Sequence, residues 1–177
     1  MKNLLLLLLF ITPIIMQAQE KVFKIILDPK DGGSNMLVGQ ISIKDIQADG
    51  TCGWYNKGFE KYKLDSAKIK ALQAHIKDYN FIVMLGTWCE DTQNLLPQFY
   101  KTMMAGKYPV EKIELLGVDR EKHALNIEHL LLKVEHVPTI IISKGPREIG
   151  RIVETIHKEN IETELLYLIE KDIENWK

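Results

Sequence analysis

The sequence predicts an α/β fold in which a mixed sheet is flanked by helices on both sides. Three observations predict it. Phe81-Ile82-Val83-Met84-Leu85, Ile113 to Val118 and Thr139 to Ser143 are apolar runs of strand length, as expected for strands buried on both faces. Segments with helical spacing of apolar residues separate these runs, which implies crossovers and parallel pairing. The tight turn Lys144-Gly145-Pro146 then joins the third run to Glu148 to Val153, so the last two strands must be antiparallel.

Taken in chain order, Lys2 is followed by the uncharged run Leu4 to Ile15 and by Met16-Gln17-Ala18, the pattern of a secretory signal peptide over residues 1–18. A run of about 12 residues is short for a ~30 Å hydrocarbon core. The expectation is a periplasmic or secreted protein, cleaved near Ala18, with no stable membrane insertion afterwards. Residues 19–63 read as an N-terminal β-containing extension. Val22 to Leu27 suits a strand, Asp28 to Gly33 a turn, and Leu37 to Ile46 a second strand. Asp49 to Gly53 is a loop carrying Cys52. The aromatic cluster Trp54, Tyr55, Phe59 and Tyr62 reads as packing.

Residues 64–177 form the main domain. Asp65 or Ser66 caps a helix with Ile69, Leu72, Ile76 and Tyr79 on one face. The turn Gly86-Thr87-Trp88-Cys89 leads into a helix with Leu95, Leu96, Phe99 and Met103 inward. A helix is expected over Ala124 to Leu132, and a last one from Asn160 to Ile173 with Ile161, Leu165, Leu168 and Ile169 inward.

Charge excludes more than it suggests. Lys and Arg number 23 against 24 Asp and Glu, a net charge of −1, with no basic stripe to bind nucleic acid. Asp119 to Glu121 and Glu154 to Glu164 read as solvated faces. His75, His123, His129, His136 and His157 lack metal-ligand spacing, and His136, the one near Pro138, reads as a surface residue. No metal and no cofactor is implied.

Cys52 and Cys89 are the two cysteines, and export permits either one bridge or two separate thiols. Cys89 follows a buried strand and opens a helix. Unpaired N–H groups and the positive end of the helix dipole favour a thiolate there, while Glu90 and Asp91 oppose it. The plain alternative is an inert, buried cysteine.

The run Phe81 to Cys89 resembles the strand and Trp-Cys turn of the thioredoxin family. Val137-Pro138-Thr139 resembles the family's cis-proline loop, Pro97 its helix-kinking proline, and Gly145 its turn between the last strands. The resemblance spans about residues 64 to 177 and implies a thioredoxin-like three-layer fold with thiol-disulfide chemistry in redox homeostasis. It also implies substrate contact by Trp88, Val137 and Pro138 through strand addition beside Cys89. Two positions depart from the pattern. Cys89-Glu90-Asp91-Thr92 carries threonine where the family has its resolving cysteine, so dithiol turnover within the motif is excluded. Thr92 is left as a hydrogen-bond partner for the sulfur. Val83 replaces a buried acid. Two functions follow. One is monothiol exchange, with Cys89 as nucleophile toward exported protein thiols or disulfides or a small thiol, resolved by a second molecule or by Cys52. The other is a non-catalytic binding module using the groove between Trp88 and Pro138.

Overall fold

A computed structural model describes residues 22–175. The signal peptide expected over residues 1–18 lies outside them. Among the described residues, strands β1 (Phe23–Leu27) and β2 (Asn35–Ile41) form a hairpin closed by the Asp28–Gly33 turn, as expected. The second strand ends earlier than its alternating pattern predicts. Ser42 accepts a hydrogen bond from the Asp45 amide and the Asp45 carboxylate accepts one from the Ser42 amide, a capping box that starts helix α1 (Ile43–Ala48). Trp54, Tyr55 and Phe59 lie on α2 (Trp54–Lys61) and Tyr62 just past its end; Tyr55 meets Tyr100 edge-on with ring centroids 6.4 Å apart, so the cluster packs.

Asp65 caps α3 (Ser66–Leu72), accepting from the amides of Ala67 and Lys68. This helix is shorter than predicted. Ile76 and Tyr79 are still buried, but from a 3₁₀ turn and the residue after it. Then come β3 (Asn80–Leu85), α4 (Glu90–Ala105), β4 (Glu114–Gly117), α5 (Glu128–Leu131), β5 (Thr139–Lys144), β6 (Arg147–Val153) and α6 (Ile161–Glu174).

The six strands form one sheet in the order β1-β2-β4-β3-β5-β6. Strands β3 and β4 are parallel and every other pair is antiparallel. The described part of the extension, residues 22–63, therefore supplies the sheet's first two strands. Alternation along β3 divides the core: Phe81, Val83 and Leu85 face a large cluster with Leu95, Phe99, Met103 and Leu165, while Met84 faces a smaller one with Leu116, Val118, Val137 and Ile141.

The helical cover is uneven. Residues of α1, α2, α3, α4 and α6 build the large cluster. The other face is covered by the chain from Ala124 to Val137, of which only α5 is helical. The helix expected over 124–132 is this short because its first half is held in a turn: the Asn126 amide and side chain both donate to the Glu128 carboxylate and the Ala124 amide donates to His129 Nδ1, while Lys133 at positive φ follows its end. Its apolar residues Leu130 and Leu131 are 65% and 70% exposed. No described helix is long and apolar enough to cross a membrane.

Candidate thiol site

The end of β3 positions the cysteine. Where the strand stops, Gly86 to Cys89 turn, and the Cys89 amide donates to the Gly86 carbonyl at 2.9 Å. Cys89 is the N-cap residue of α4, in extended backbone geometry, and its side chain caps no amide. The half-buried sulfur points elsewhere: Sγ donates to the Val137 carbonyl oxygen at 3.1 Å. The Val137–Pro138 peptide bond is cis. The structure thus brings Cys89, Val137 and Pro138 together, as the motifs imply.

Val137 and Pro138 are both buried, whereas strand addition at this loop requires exposed backbone. Trp88 is folded back. Its indole lies on Gly86, where a Cβ would sit 2.5 Å from a ring atom, and its Nε1 donates to the Val118 carbonyl at 3.1 Å. The ring also carries the Arg120 guanidinium, 4.8 Å from its centroid. A residue outside both motifs therefore packs on the Trp88 wall of the expected groove.

Thr92 does not take the expected role. It is fully buried on the first turn of α4, and its Oγ1 has no hydrogen-bond partner among the described residues. The thiol's proton is directed at the Val137 carbonyl instead. Thr92→Val is accordingly expected to change stability by less than about 1 kcal/mol, because an unpaired buried hydroxyl contributes little, and to leave the alkylation rate of Cys89 within twofold. Urea unfolding and iodoacetamide kinetics check both; a larger loss in either would assign the hydroxyl a role.

Cys52 is not brought to Cys89. Both thiols are free, and Cys52, 3% exposed, packs in the large cluster, whereas Cys89 borders the small one. Burial, then the charge of Asp49, pushes the Cys52 thiol up to about 11. A thiol so placed is a core residue. Val83 is likewise apolar core. His136 is exposed, with Nδ1 3.2 Å from a Glu154 carboxylate oxygen. No group of three metal-ligating side chains occurs among the described residues.

Two residues of this site escaped the sequence reading. Arg120, taken for part of a solvated face, donates from Nε and Nη2 to the Asp28 carboxylate at 2.9 and 2.7 Å. Asp28 is 1% exposed. The guanidinium holds its carboxyl below the usual carboxylate range, against the opposing effect of burial. The guanidinium thereby sits on the side chain of the residue next to Cys89, since it lies over the Trp88 ring. The one available signal was placement: Arg120 follows β4, parallel neighbour of the strand that precedes Cys89, and both loops leave the same sheet end. The turn is also tied to β2, since Thr87 Oγ1 donates to the Asn35 carbonyl and accepts from the Leu37 amide.

No family model and no curated protein matches the chain. Among solved structures it is similar to a protein of unknown function from Pseudomonas aeruginosa, at 20% identity and a TM-score of 0.53, over 68% of this chain and 84% of that one. It is also similar to an HIV epitope-scaffold, at 22% identity and a TM-score of 0.50, over 67% of this chain and 84% of that one. At such identities the likeness concerns the fold alone, and what it supports is a mixed α/β chain with six strands and six helices.

Proposed function

We propose that the chain is an exported, thioredoxin-like protein that performs monothiol thiol-disulfide exchange through Cys89. One observation carries the reading: a half-buried cysteine at the N-cap of a long helix, its sulfur 3.1 Å from the carbonyl that precedes Pro138. Attack requires a sulfur with access and a helix end that stabilises negative charge. In the step, the Cys89 proton passes to water and Sγ attacks one sulfur of a disulfide. The Sγ–S bond forms as the S–S bond breaks, and the electron pair leaves with the departing thiolate. Cys89 is thereby oxidised to a mixed disulfide and the leaving sulfur is reduced. With Thr92 in the second motif position and Cys52 in the core, release falls to a second, external thiol.

The binding-module alternative draws on the hydrogen bond from Sγ to Val137, which engages the thiol in its neutral form. The two readings differ in what a disulfide traps. Under native conditions one thiol is expected to react with a disulfide reagent, and Cys89→Ser to abolish that reaction, because Cys52 is shielded. Wild type then forms disulfide-linked adducts with exported proteins or a small thiol, and the serine variant forms none. Equal capture by the two would refute exchange at Cys89.

A further inference from the structure

Arg120 is held beside the thiol turn by a residue remote in sequence. One edge of its guanidinium is fixed, with Nε and Nη2 bonded to Asp28, and its Cζ lies 4.8 Å from the Trp88 ring centroid. The third nitrogen, Nη1, has no hydrogen-bond partner among the described residues, and the side chain is 21% exposed. Asp28 is almost wholly covered, so solvent at this edge meets the guanidinium and not the carboxylate. A clamped arginine loses little freedom when it takes a further acceptor, which is the usual basis of carboxylate recognition by this side chain. The nearby acids Glu90 and Asp91 on α4 and Asp31 on the β1–β2 turn set a negative background. Besides the positive end of α4, Arg120 is the side chain over Trp88 that can attract an anion approaching Cys89.

We propose that Arg120 is an anion-recognising residue of the Cys89 site, selecting disulfides and thiols that carry a carboxylate close to the reacting sulfur. This rests on the exchange reading above and adds a substrate class to it. Residues 19–63 acquire a role at the same time, since their Asp28 sets the guanidinium in place.

The test compares two probes on the purified protein, a dianionic nitrobenzoate disulfide and an uncharged dipyridyl disulfide. Arg120→Gln is expected to lower the anionic-to-uncharged rate ratio by about threefold to fivefold, an effect that shrinks with added salt. Arg120→Lys should retain most of the ratio. Because Arg120→Gln strands a buried carboxylate, Asp28→Asn/Arg120→Gln is measured beside it, with the same fall expected and no unpaired charge. An unchanged ratio, or an equal fall for both probes, overturns the assignment of Arg120 and leaves exchange at Cys89 standing. Failure of the wild-type thiol to react with either probe overturns both.

Discussion

Gly117→Ala is expected to cost about 3 kcal/mol of unfolding free energy, the upper end for forcing extra volume into a packed interior. The reason lies in the β2–β4 contact. Gly117 is the last residue of β4 and pairs with Gly39 of β2, and a Cβ built on it would sit 1.9 Å from the Leu37 carbonyl oxygen. That neighbour is backbone in a hydrogen-bonded strand and has no rotamer to retreat into. The whole of β2 has to move, and with it the Asn35 and Leu37 groups that hold Thr87. The substitution should therefore also change the reactivity of Cys89. Gly53→Ala is the control, since a Cβ there meets nothing within 4 Å and the expected change is about 0.5 kcal/mol or less. Urea unfolding of the three proteins decides the matter, and equal midpoints for the two variants would refute the close-approach argument.

Arg120→Ala has the second large effect, about 3 kcal/mol lost at neutral pH, because removing one partner leaves a covered carboxylate uncompensated. Its pH dependence identifies the cause. In the native protein the guanidinium holds Asp28 below its ordinary value of 3.8. The pair's contribution is therefore complete above about pH 4 and lost as pH falls through the lowered value. In the variant burial, which raises the value of Asp28, is opposed only by the backbone hydrogen bonds of Lys30 and Asp31, so most of the lowering is gone. The variant therefore loses less stability than wild type as acidification protonates the carboxyl. The gap between wild type and variant should narrow steadily from neutral pH to below pH 4. A gap that stays constant with pH would show that the loss comes from the packing of Arg120 on Trp88 and not from charge.

Most of the elements were legible because their signals are local. Phe81 to Leu85, the helix after Cys89 and the final helix have patterns of one period over their whole length, and each forms where expected. Misreadings occurred where two local signals compete. Leu37 to Ile46 alternates like one strand, yet Ser42 and Asp45 satisfy each other's amides and start a helix inside it. Ala124 to Leu132 has helical spacing, but Asn126 bonded to the Glu128 carboxylate holds the first residues in a turn and the helix keeps four residues. At the site, Trp88, Cys89 and Pro138 stand in short motifs, and the fold brings Cys89 to the loop of Pro138. Thr92 was assigned a hydrogen bond on its spacing from Cys89, and spacing on a helix does not determine where a thiol points.

What the linear order of residues settled is the helix that opens at Cys89 and the proline loop that meets it, because capping, periodicity and turn chemistry act over a few neighbours. What the folded chain alone revealed is the burial of Cys52, the turning of Sγ toward Val137, and the clamp of Asp28 on Arg120 over Trp88. Asp28 and Arg120 have no periodicity or motif in common. They meet because β2 adds antiparallel to β4, and a carboxylate enclosed by that pairing needs a cation within reach.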